Sequence, residues 1–78
     1  MYLIVYDICD SKRLRQTAKL LQRYGRRVQK SVFECDIKET RYRQLFNQLK
    51  KICKEKDCVA SYHLQAGTFF ENIYPPKL

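Results

Sequence analysis

From Tyr2 to Ile8 the chain is an almost unbroken run of apolar, aromatic and β-branched residues, the pattern of a strand covered on both faces. Asp7 interrupts that run near its end. Asp10-Ser11 then offers a helix N-cap, and Leu14, Ala18, Leu21 and Tyr24 recur at helical spacing, with Thr17 and Leu20 beside them. Gly25 suits a left-handed cap closing this helix. Between Arg26 and Ile37 the period changes. Val28, Val32, Phe33 and Ile37 stand among polar residues without helical spacing, which predicts two short strands, or one kinked strand, breaking near Ser31-Val32. Thr40 is placed to cap a second helix, whose apolar stripe is Tyr42, Leu45, Phe46, Leu49, Ile52 and Cys53. A polar turn at Glu55 to Asp57 and a strand from Cys58 to about Leu64 follow.

The order β-α-β-β-α-β is that of an α+β, ferredoxin-like sandwich, with both helices on one face of an antiparallel sheet. The other face is open, and is expected to carry Tyr, Val and Ile side chains of the first strand. Such an exposed apolar patch marks an interface. The segment from Gly67 to Leu78 holds Phe69, Phe70, Ile73, Tyr74, Pro75 and Pro76, too apolar to trail in water. An additional C-terminal strand near Thr68 to Glu71, added to another sheet edge, would bury it, and in a two-fold dimer that edge could belong to the partner. Length points the same way. The 78 residues make one domain, 1–78. A chain this small buries only about 60% of its unfolded surface, so a lone protomer is marginal and a homodimer is expected.

Charge narrows the partners. Sixteen Lys and Arg against eight Asp and Glu leave a net charge of +8, a field that concentrates polyanions such as nucleic acid. From Ser11 to Phe33 there is no acid, while Lys12, Arg13, Arg15, Lys19, Arg23, Arg26, Arg27 and Lys30 are all basic. Arg can hold a phosphate through two donors and Lys adds a point charge, so this segment is the expected backbone-binding surface.

Other classes recede. The apolar start is too short to span a membrane and lacks a basic leader, so a cytoplasmic protein without membrane contact is expected. The four cysteines contain no CxxC, a poor zinc pattern, and read as free thiols in a reducing compartment. His63 is a lone strand histidine, the type that is structural more often than catalytic. Two glycines in the whole chain exclude a phosphate-cradling loop.

Asp7 is open to two readings. As a strand-end carboxylate it could cap the following helix. It could equally hold Mg²⁺, which binds through one or two carboxylates plus waters. If a two-fold axis passes near this strand end, two copies of Asp7 could share one ion that polarises a phosphate and activates water. Capping explains Asp10 fully.

The opening MYLIVYDICD, the basic helix ending in Tyr24-Gly25, the run Arg27-Val28-Gln29-Lys30-Ser31-Val32-Phe33-Glu34 and the second amphipathic helix together resemble the small CRISPR-associated family Cas two. The similarity runs from Met1 to about Leu64, and the tail agrees in type. The resemblance implies a ferredoxin-like homodimer whose C-terminal strand crosses to the partner. It also implies a role in spacer acquisition with the CRISPR integrase, Cas one, the basic surface supporting double-stranded DNA. Some members of that family are Mg²⁺-dependent endonucleases on RNA or double-stranded DNA. On this chain the metal carboxylate would be Asp7, with Tyr6 beside it in the catalytic motif, and Arg27, Ser31 and Phe33 in the second motif. A VapD-like ribonuclease toxin of related fold is the alternative, which the R-x-Q-x-S-V-F segment disfavours.

Overall fold

A computed structural model describes residues 1–64 and 69–72 of the chain. The elements run β1 (Tyr2–Asp7), α1 (Ser11–Gln22), β2 (Arg26–Gln29), β3 (Val32–Cys35), α2 (Glu39–Ile52), β4 (Cys58–His63) and β5 (Phe69–Asn72). The strands form one antiparallel sheet in the order β2-β3-β1-β4-β5. Its first four strands have the ferredoxin-like order, and β5 is the additional C-terminal strand.

Strand parity decides which residues meet the helices. Tyr2, Ile4 and Tyr6 alternate inward and are buried, together with Phe33 and Cys35 of β3 and Val59 and Ser61 of β4. Over them lie Leu20 and Leu21 of α1 and Tyr42, Leu45, Phe46 and Leu49 of α2. Each such side chain, fully buried, contributes about 1.5–3 kcal/mol. The first-strand tyrosines and Ile4 therefore lie beneath the helices and not on the open face, contrary to the sequence expectation. An all-apolar run carries no parity signal. The open face carries Leu3, Val5 and Asp7 instead, with Val32 and Tyr62 alongside by register, and the four apolar residues are half-buried.

An aromatic stack closes one end of the core. The Tyr2 ring lies between Tyr42, at 4.0 Å between centroids, and His63, at 4.2 Å, all nearly parallel. His63 is thus a packing residue on the strand next to β1.

Two caps differ from expectation. Gly25 is not in the left-handed region, and α1 ends at Arg23 in right-handed geometry. Gly25 is required for another reason: a Cβ there would lie 2.1 Å from the Glu34 carbonyl oxygen and 2.7 Å from Cys35 Sγ. Helix α2 starts one residue before Thr40, with Lys38 at the N-cap and no side-chain capping bond, so Glu39 in the first turn supplies the favourable charge. Asp10 caps α1 as expected, its Oδ2 accepting from the Arg13 amide at 2.9 Å.

The β2–β3 turn falls at Lys30-Ser31, within a residue of the expected break. A register shift between Arg27 and Gln29 makes a bulge that leaves Val28 41% exposed. Strand β5 pairs with β4 of its own chain, His63 opposite Phe69 and Ala60 opposite Asn72. The remaining tail, 73–78, on which part of the expected partner contact falls, lies outside the described residues.

Candidate functional site

Asp7 stands exposed at the carboxyl end of β1, on the face opposite the helices, with Cys58 across from it on β4. Among the described residues its carboxylate accepts no hydrogen bond and forms no ion pair. The helix-cap reading is thereby removed, because Asp10 occupies that post. A solvated, unpartnered carboxylate suits a cation that keeps most of its waters. No group of three His, Cys, Asp or Glu side chains among the described residues could cage a metal.

Tyr6 is not beside Asp7 in space. Its ring is buried under the helices, tilted against Phe33 at 6.2 Å. Its hydroxyl donates to the Lys30 carbonyl at 3.5 Å, and its amide donates to the Ser31 carbonyl at 3.1 Å. Tyr6 therefore ties β1 to the β2–β3 turn. Phe33 fills the core beneath it, with the Arg27 guanidinium 5.3 Å over its ring.

The eight basic residues fall into two groups. Lys12, Arg15, Lys19 and Arg23 are exposed and lie within an arc of roughly 80° on α1, because their spacings of three and four residues nearly match the helical turn. They form a stripe about 16 Å long. None of the four side chains has a hydrogen-bond or ion-pair partner among the described residues. Gln16, Gln22, Leu20 and Ile52 join Lys19 and Arg23 in lining a shallow groove beside the stripe. Lys30 is exposed at the β2–β3 turn.

The other cations are engaged. Arg26 pairs with Glu34 at 3.1 Å on an exposed edge, and Arg27 is stacked on Phe33. Arg13 was expected to meet phosphate, but its guanidinium forks onto Asp57, with Nε to Oδ2 at 2.9 Å and Nη2 to Oδ1 at 3.2 Å. The Asp57 interaction raises the Arg13 pKa further above its ordinary value.

Asp57 is the residue that sequence reasoning passed over as part of a polar turn. It is fully buried, and its carboxylate also accepts the amides of Lys54 at 2.9 Å and Cys9 at 3.4 Å. Burial alone pushes this carboxyl up. The bonds from Arg13, Lys54 and Cys9 outweigh that and hold it below the usual carboxylate value. The four cysteines are free thiols, and burial pushes those of Cys35 and Cys53 up to about 11.

Fold and site together define a small basic ferredoxin-like protein with an open strand-end carboxylate and a stripe of exposed cations on its first helix. The family is specific. Residues 1–72 match the family model described as CRISPR associated protein Cas2, and the chain belongs to that family. A "CRISPR-associated endoribonuclease Cas2 3" of Synechocystis sp. is 42% identical over 69 residues, covering 87% of this chain and 75% of that protein. A "CRISPR-associated endonuclease Cas2" of Halalkalibacterium halodurans is 43% identical, covering 82% of this chain and 73% of its own length. The crystal structure of Streptococcus pyogenes Cas2 at pH 6.5 superposes with a TM-score of 0.75 at 38% identity, covering 85% of this chain and 87% of that one. Among the described residues no helix is long and apolar enough to cross a membrane.

Proposed function

We propose that this chain is a CRISPR-associated nuclease that hydrolyses phosphodiester bonds in RNA or DNA, with Asp7 as its metal carboxylate. The observation that carries the reading is the free, exposed Asp7 carboxylate at the end of an otherwise apolar strand. When bound there, Mg²⁺ supplies Lewis-acid polarisation of a phosphate oxygen and a water of lowered pKa. Asp7 holds the ion, and the basic surface lowers the cost of bringing phosphates near it. The names of the relatives, endoribonuclease and endonuclease, support the class of reaction. The match over residues 1–72 supports a CRISPR role over a VapD-like toxin.

A homodimer suits this site. The half-buried apolar residues Leu3, Val5, Val32 and Tyr62 on the open face give a second copy something to cover, and that face also bears Asp7. Two protomers meeting there would supply a second carboxylate. Strand β5 pairs with β4 of its own chain, so the expected crossing onto a partner does not involve residues 69–72.

The stripe on α1 supports a second role, alone or beside the first: a scaffold that carries double-stranded DNA for the CRISPR integrase, Cas one. That role needs the cations and not the metal.

The deciding experiment is cleavage of labelled duplex DNA and single-stranded RNA, with and without Mg²⁺, by the wild type and Asp7→Ala. Cutting by the wild type alone, and only with metal, establishes the nuclease. If neither protein cuts while both bind duplex equally, the enzyme reading falls and the scaffold remains.

A further inference from the structure

Asp57 is buried while Lys54, Glu55 and Lys56 before it are exposed. Its carboxylate gathers bonds from three separate segments: Arg13 on α1, Lys54 after α2, and Cys9 in the link that follows β1. A buried ion pair is weak evidence for stability, since an apolar replacement often does as well. What it secures here is location. Cys9 lies two residues beyond Asp7, and Cys58, next to Asp57, is the strand partner of Asp7.

Asp7 needs such support. The β3 ladder alongside β1 stops at the pair Val5 and Val32, with one further bond from the Tyr6 amide, so at Asp7 strand pairing comes from β4 alone. Its side chain has no partner of its own among the described residues. The direction of the carboxylate is therefore set by the backbone on either side, and Asp57 clamps that backbone just past the strand end. Asp57 contacts α1, on the helix side of the sheet, whereas Asp7 projects from the opposite face. It therefore acts through the chain and not as a second ligand.

We propose that Asp57 is a positioning residue for Asp7, fixing through the Cys9 amide and the Arg13 fork the geometry in which the Asp7 carboxylate meets a divalent cation. The inference rests on the reading of Asp7 as the metal carboxylate. Groups that orient a metal ligand typically affect affinity by about 10–100-fold when altered.

The test is Mn²⁺ binding to the full chain, followed by electron paramagnetic resonance, for the wild type, Asp7→Ala, Asp57→Asn and Arg13→Lys. Circular dichroism confirms folding of each at the working temperature. The expected result is loss of the Mn²⁺ site in Asp7→Ala and about tenfold weaker binding in Asp57→Asn. Arg13→Lys, which keeps the charge but loses the fork, should fall between wild type and Asp57→Asn. In cleavage, Asp57→Asn should raise the Mg²⁺ concentration for half-maximal rate more than it lowers the rate at saturating metal. A folded Asp57→Asn that binds Mn²⁺ like the wild type, while Asp7→Ala does not, overturns the positioning role and leaves Asp7 in place. Wild-type Mn²⁺ binding by Asp7→Ala overturns both. Should Asp57→Asn fail to fold, Arg13→Lys decides: weakened binding supports the proposal and unchanged binding refutes it.

Discussion

Arg13 and Asp57, 44 residues apart in sequence, face each other through two parallel hydrogen bonds of 2.9 and 3.2 Å. The pair joins the first turn of α1 to the entry of β4 and takes out of service one cation from the basic segment. It also has a pH signature. The folded carboxyl is held below its ordinary value of 3.8, so the unfolded chain binds the proton more readily. Its contribution is present in full above the unfolded value and disappears as pH falls through the lower folded value. Thermal melts of the wild type should therefore lose stability on acidification across that window. In Asp57→Asn the loss should be shallower, from a baseline lowered by about 1–3 kcal/mol at neutral pH because an accepting oxygen is gone. Parallel acid limbs for the two proteins would remove Asp57 from the acid response.

The stripe on α1 and the Arg13 fork make opposite predictions. Replacing Lys12, Arg15, Lys19 and Arg23 with Ala should weaken duplex binding and reduce the slope of log affinity against log salt by roughly 3 to 4, at about 0.9 per phosphate contact. The melting temperature should barely move, since the four side chains are exposed. Arg13→Ala should do the reverse, lowering the melting temperature while leaving the slope nearly intact. Anisotropy titrations of labelled duplex across a salt series separate the two. An unchanged slope in the four-residue variant would dismiss the stripe as a backbone contact.

Gly25→Ala should destabilise although the substitution adds only a methyl group. The Cβ would have to displace the backbone of Glu34 and the sulfur of Cys35, and overpacking of this kind costs about 1–3 kcal/mol. A control at exposed Lys19→Ala should be nearly neutral. Denaturant midpoints measure both, and equal midpoints would show that β2 and β3 can part without cost.

Thr17 is fully buried on α1, and its hydroxyl has no hydrogen-bond partner among the described residues. Thr17→Val keeps the shape and removes the unpaired oxygen. It should stabilise the protein by about 1 kcal/mol, read as a higher melting temperature with unchanged nucleic-acid binding. A lower melting temperature would mean that the hydroxyl does have a partner.

What could be read from the sequence follows from which signals are local. Both helices were legible because a period of 3.6 lies within a few residues of chain, and the strands because apolar, β-branched runs lack that period; the additional strand was legible from its apolar residues, but its pairing within its own chain was not. Asp7 stood out because it breaks an apolar run, and the basic segment because no acid interrupts it, but which of its cations form one exposed stripe on α1 emerged only with the structure. Asp57 was not. Its neighbours Glu55 and Lys56 make it look like any solvated turn, and only the fold brings Arg13 across to bury it. The same fact hid the engagement of Arg13 by Asp57 within the basic segment. The inward face of β1 was illegible for a different reason, since nearly every residue there is apolar and alternation leaves no trace.

The locked ring of Tyr2 gives that alternation an evolutionary meaning. Tyr2 is pinned inward between Tyr42 and His63, and Asp7 stands an odd number of residues further along the strand, so it must point outward. Gaining or losing one codon between them would invert the arrangement, turning the carboxylate into the oily interior and an apolar side chain toward the solvent. The strand register therefore tolerates a change in the number of residues between Tyr2 and Asp7 only in steps of two, while burial holds Ile4 and Tyr6 to side chains that fit the core.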